Sequence, residues 1–156
     1  MATGPPHISR TDQCDSSTLV KLYADEHGHR AIRALDMLVV SAIARVEVPS
    51  ALWRKTRTGE LEDTAAGILV SAFELDFHGG PDMDSRFTIV SVTEHVLIAA
   101  AKEAARHALR AYDAVQLASA LAVRQNDPRY NHFACFDSEL RRAAGRSGFE
   151  LTPAAG

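Results

Sequence analysis

From Met37 onward, short β-branched or apolar runs alternate with stretches of helical periodicity, and this alternation constrains the fold more than any other feature of the sequence. Residues 37–40, 87–92, 132–136 and 149–151 each have the length of a strand. One or two amphipathic segments stand between each and the next. Strands separated by helices imply a parallel sheet with helices on both faces, because each crossover must cover the apolar surface that the strands present.

The helices carry their own signals. A short one begins near Ser17 with Leu19, Val20, Leu22 and Tyr23, capped by Ser16 or Ser17, and another covers residues 30–35. Ser41 is positioned to cap a helix holding Ile43, Val46, Glu47, Leu52 and Trp53, which Pro49 should kink or delay and Thr58-Gly59 should end. Residues 60–75 form the next, with Leu61, Ala65, Ile68, Leu69, Ala72 and Phe73 on one face, before a turn at 78–82. Thr93 and Glu94 open an Ala-rich helix through His107, residues 112–124 make another, Asn126-Asp127-Pro128 breaks the chain, and a helix over 137–144 stops at Gly145.

At 156 residues, 46% hydrophobic and 24% charged, the chain is sized and composed for one soluble globular domain, which excludes a disordered or collagen-like polymer. Residues 1–9 read as a loose arm, 10–152 as the domain and 153–156 as a tail. No apolar run reaches the ~18 residues of a membrane span, so we expect no membrane association and a cytoplasmic location. Cys14 and Cys135 lack metal-ligand spacing and read as small buried hydrophobes. A net charge of -3 excludes a wholesale basic nucleic-acid binder, although 14 of the 17 cations are Arg, the side chain suited to bidentate phosphate contacts.

Asp15, Glu47, Asp113 and Asp137 fall where a strand hands over to a helix or near a helix start. In an open parallel sheet those junctions share one edge, where such folds place their sites. Taken singly, Asp15 and Asp137 serve equally as helix N-caps, Asp113 as a first-turn carboxylate and Glu47 as a solvated helix residue. All four, however, are set in apolar sequence, and carboxylates near a core need partners. No Lys or Arg adjoins Asp15, Asp113 or Asp137, so the natural neutraliser is a divalent cation, and oxygen-only ligands favour Mg²⁺ or Mn²⁺ over zinc.

The stretches Asp15-Ser16-Ser17-Thr18-Leu19-Val20-Lys21-Leu22-Tyr23, Ala44-Arg45-Val46-Glu47-Val48, Leu109-Arg110-Ala111-Tyr112-Asp113-Ala114-Val115-Gln116-Leu117-Ala118-Ser119-Ala120 and Phe136-Asp137-Ser138-Glu139-Leu140 together resemble the PIN-domain ribonucleases, specifically the VapC toxins of VapBC toxin-antitoxin pairs. The resemblance implies a PIN-like α/β fold, a five-stranded parallel sheet flanked by helices on both faces, and metal-dependent endonucleolytic cleavage of RNA. It carries the family's acidic quartet onto Asp15, Glu47, Asp113 and Asp137 and its early hydroxyl onto Ser17, or else Ser16. Asp15 and Asp113 are then expected to bind the metal directly, with Glu47 and Asp137 orienting water or holding a second ion. A cognate VapB-type antitoxin and a homodimer are implied as partners. The chain departs from the family at its first strand, where an apolar run is usual and Ser9-Arg10-Thr11-Asp12-Gln13-Cys14 is polar.

An acidic pocket repels RNA, so cations at its rim must hold the substrate. Lys102, Arg106 and Arg110 recur every four residues toward Asp113, Arg54 ends the Glu47 helix, and Arg141 follows Asp137; each could equally belong to a solvated helix face. Two other readings share these acids. A phosphoacceptor receiver would pair Asp12 with Asp15, yet it needs a late lysine and none follows Lys102. A PIN-like module without catalysis, acting only as a binding partner, is the third.

Overall fold

Five parallel strands make one sheet in the computed structural model, which describes residues 10–154. The expected arm over residues 1–9 lies outside the described residues, as do the last two positions of the tail. The strands are β1 (Thr11–Cys14), β2 (Met37–Ser41), β3 (Phe87–Val90), β4 (His132–Ala134) and β5 (Glu150–Thr152), in the spatial order β3-β2-β1-β4-β5. From β1 the chain first builds toward β3 and later returns to add β4 and β5 on the other side. The direction of winding therefore reverses between β1 and β4, at the kind of switch point where an open α/β sheet leaves a crevice.

Helices α1 (Ser16–Leu19), α2 (His29–Arg33), α3 (Ala44–Arg57) and α4 (Asp63–His78), with a 3-10 turn at Val20–Leu22, cover one face. Helices α5 (Glu94–His107), α6 (Ala111–Asn126) and α7 (Ser138–Arg146) cover the other. Strand alternation feeds both cores: Cys14, Leu38, Val40 and Ala134 enter the first, and Phe133 enters the second.

The polar central strand holds because its side chains find partners. Gln13 is buried on the α6 side and donates Nε2 to the carbonyls of Ala120 (3.1 Å) and Tyr130 (2.9 Å). Buried Asp12 accepts from Arg10 Nη2 and Thr152 Oγ1, both at 2.8 Å, which ties β1 to β5. Gln13 is thus compensated, and so is Oδ1 of Asp12, while Asp12 Oδ2 is buried without a hydrogen-bond partner among the described residues.

Several element boundaries differ from expectation. Asp15, not Ser16 or Ser17, caps α1. Ser41 ends β2, and its hydroxyl accepts from Ser119 Oγ at 3.1 Å instead of capping α3. Helix α3 begins at Ala44 and runs through Pro49 without interruption. Helix α4 starts three residues later than the sequence suggested and buries Ala66, Phe73 and Phe77, while Ile68 and Ala72 of the expected face are exposed. The line from Ala66 through Phe73 to Phe77 meets the Phe87 end of β3, and these aromatic rings set the helix rotation. Helix α7 continues through Gly145 to Arg146. Strands β3 and β4 end two residues early, at Val90 and Ala134.

Candidate active site

The chain leaves β1 at Cys14, and Asp15 turns it into α1: Oδ1 accepts from Thr18 N at 3.2 Å, and Oδ2 from Ser17 N at 3.3 Å and Ser17 Oγ at 2.6 Å. The cap that starts the helix thereby also fixes a carboxylate at the carboxyl end of the central strand. Burial pushes the Asp15 carboxyl above its ordinary range, and the bonds from Ser17 and Thr18 act in the opposite direction. Asp137 does the same work one strand over, where its Oδ1 caps α7 through Glu139 N (3.1 Å) and Leu140 N (2.9 Å).

Asp113 stands in the first turn of α6, half-buried, with no hydrogen-bond donor to either oxygen among the described residues. Its carboxyl is pushed up to about 6, first by burial, then by the charges of Asp137, Asp15 and Glu47, against a smaller opposing effect of Arg110. The three acids that raise it are the other members of the quartet. Their like charges raise its pKa, and Arg110 offsets only part of that effect.

Glu47 projects from the first turn of α3, and its Oε2 accepts from Gln116 Nε2 at 2.8 Å. Gln116 is buried and donates as well to Ser16 Oγ, so one amide ties α6 to α1 and α3. Sequence reasoning missed this residue as part of the site. Its signal was available: Gln116 is the one polar side chain in the run 114–118 and lies three residues after Asp113, on the same helix face.

Three of the four acids, Asp15, Glu47 and Asp113, stand around a cleft of about 320 Å³ bounded by α1, α3 and the start of α6. Asp15, Ser16, Ser17, Glu47, Asp113 and Gln116 line it together with Arg54, Arg110 and Tyr112, whereas Asp137 does not line it and acts on Asp113 through its charge. Asp12 does not join the cluster, because it is fully buried within β1 and engaged by Arg10 and Thr152, which removes the acidic pair that a receiver would need.

The expected substrate cations divide. Arg54 and Arg110 line the cleft, and neither side chain has a hydrogen-bond or ion-pair partner among the described residues. Helix α5 ends at His107 and the backbone reverses at Ala108 (φ 54°), so Lys102, Arg106 and Arg110 do not form one helical stripe. Arg106 instead pairs with Glu103 at 3.5 Å, and neither it nor Lys102 lines the cleft. Arg141 is spent within the fold: its guanidinium donates to the carbonyls of Cys135 (2.6 Å) and Pro153 (2.8 Å), clamping the chain after β5.

Among the described residues, no three His, Cys, Asp or Glu side chains stand close enough together to ligate one ion as they are. The donor set still fits Mg²⁺ or Mn²⁺, since Mg²⁺ uses one or two protein carboxylates and keeps water and phosphate as its other ligands. Mutual repulsion at Asp113 is what a bound cation would relieve. The sequence matches the PIN domain family over residues 14–146. No curated protein matches it.

Proposed function

The chain belongs to the PIN-domain family, and from that premise we propose that it is a metal-dependent endoribonuclease acting at the Asp15–Glu47–Asp113 cleft with Asp137 beside it, and with Mg²⁺ or Mn²⁺ as cofactor. One observation carries the reading: Asp113 has no hydrogen-bond donor among the described residues, and burial together with the charges of Asp137, Asp15 and Glu47 lifts its carboxyl to about 6. A structural carboxylate is paired with donors, whereas Asp113 has none among the described residues and faces three like charges.

When bound, the metal supplies Lewis-acid polarisation of the scissile phosphate and a water of lowered pKa. Asp15 and Asp113 would hold it from the end of β1 and the first turn of α6, with Ser17 Oγ fixing the Asp15 carboxylate. Glu47, oriented by Gln116, and the free oxygen of Asp137 accept hydrogen bonds from the attacking water. Arg54 and Arg110 hold the phosphates on either side of the cut.

The same reading makes the chain the toxin of a toxin-antitoxin pair, working in the cytoplasm. Its antitoxin inserts an Arg or Lys into the acidic cleft and docks an apolar segment on the surface of α1 and the α3 face that exposes Val46 and Trp53. The likeness to VapC toxins supports a homodimer.

Purified protein should cut single-stranded RNA in Mg²⁺ or Mn²⁺ and stop in EDTA. Absence of metal-dependent cutting, with RNA still bound, would favour the purely binding module. Co-expression with the product of an adjacent small open reading frame should relieve growth inhibition and yield a complex; failure of both removes the antitoxin. Sedimentation of the isolated chain reports the dimer.

A further inference from the structure

We propose that the acidic cleft continues into a subsite, between the 3-10 turn and the C-terminal half of α3, that holds the nucleotide next to the scissile phosphate; this rests on the nuclease reading. A second hollow of about 240 Å³ opens there. Ser17, Ala51 and Arg54 line both it and the acidic cleft, so the two form one continuous groove. It lies below the roughly 300 Å³ at which drug-sized pockets begin, a volume for one nucleotide and not for a run of them.

The balance of charge shifts along this groove from an excess of carboxylates to an excess of cations. The first part is lined by Asp15, Glu47 and Asp113 with Arg54 and Arg110, and the second by Lys21, Arg54 and Lys55 with Glu26 and Glu60, beside the Phe136 ring. Lys21 is buried, with Nζ 4.5 Å from the centre of that ring and 3.1 Å from Glu26 Oε2. Glu26 also pairs with Lys55, whose Nζ lies 2.9 Å from Glu60 Oε2. Lys21 is largely withdrawn from water, and burying a charge seldom improves on apolar packing, so its placement beside a hollow calls for a reason other than stability. Each ammonium carries three donors, and the contacts above leave at least one unspent on each lysine. A strand whose scissile phosphate sits at Asp15 and Asp113 then places its neighbouring phosphate on Arg54 and Lys55 and its base against Phe136.

Binding of a fluorescein-labelled single-stranded RNA, followed by anisotropy in EDTA over a salt series, tests this in the full chain. Lys55→Met leaves Glu26 paired with Lys21 and should fold normally, checked by its melt and by an unchanged Mn²⁺-induced stabilisation. The slope of log affinity against log salt should fall by about 0.7, one phosphate contact on a single strand. Once cleavage in Mn²⁺ has mapped the cut, moving one abasic residue along the RNA should weaken binding to the unmodified protein about fivefold or more at a single position adjoining it, the low end of one lost stacking contact. Lys55→Met with an unchanged slope, or an RNA with no sensitive position, overturns the subsite while normal cleavage leaves the nuclease reading standing. A protein that neither binds nor cuts RNA overturns the nuclease reading itself.

Discussion

Replacing Asp113 by Asn removes one charge from the quartet at nearly constant shape, and stability and activity should then move in opposite directions. The Asp113 carboxyl rises from its ordinary 3.8 to about 6. Unscreened, that difference is worth about 3 kcal/mol against the charged form. The side chain is half-exposed, so solvent screens the repulsion and about 1–1.5 kcal/mol should survive. Between the two values the folded state binds more protons than the unfolded one, so stability is lost as pH rises from about 4 to about 6. At neutral pH the penalty is fully present, and Asp113→Asn should melt about 3–5 °C higher in EDTA. That advantage should shrink to nothing below about pH 4, where the wild-type carboxyl is itself neutral. Cleavage in Mn²⁺ should meanwhile slow at least ~100-fold, about 2.7 kcal/mol in the barrier, because a metal ligand is gone. If Asp113 merely complemented the α6 dipole, its loss would instead lower stability by about 0.3–1 kcal/mol and leave cutting intact. A destabilised, fully active variant refutes the metal-site reasoning.

Mg²⁺ or Mn²⁺ at a hundredfold excess over its dissociation constant should stabilise the wild-type protein by about 2.7 kcal/mol, read as a rise in melting temperature that Asp113→Asn loses; an unmoved melt argues against a metal. Gln116→Leu strips Glu47 and Ser16 of their shared donor, so urea denaturation should show a loss of about 1–3 kcal/mol and cleavage should fall about tenfold. Unchanged cleavage would mean that Gln116 does not position Glu47. Gly28→Ala forces a side chain onto a backbone at φ +82° and drives its Cβ into the Phe136 ring, so about 2 kcal/mol or more should be lost in denaturant. A silent substitution there would show that the loop can move off the ring.

The alternation of strand-length apolar runs with helical periodicity was enough to read the sheet as parallel and covered on both faces, because a crossover helix is the short-range way to bring two strands into parallel register. The same order placed Asp15 and Asp137 at strand ends and Asp113 in a first turn, since chain position relative to an element is a local property. Their approach to one another at the sheet edge was not local. It depends on the winding reversal that makes β1 and β4 neighbours, a consequence of how the whole chain packs. Rotation of α4 escaped the sequence because Ile68 and Phe73 are both apolar, and only the aromatic cluster with Phe77 and Phe87 decides which is buried.

Charged residues divided along the same line. Spacing alone made Lys102, Arg106 and Arg110 one stripe and Arg141 a substrate cation, but a left-handed residue at Ala108 broke the first, and the carbonyls around β5 claimed the second. Long flexible side chains take whatever partner the fold brings within reach, so their sequence positions say little about their roles. The residue types and their order thus determined the architecture and the four acids, through short-range periodicity and capping. Which face of α4 is buried, which arginines are free to meet a phosphate, and that Gln116 joins three helices at the cleft were decided by contacts between segments up to 100 residues apart, which no local pattern encodes.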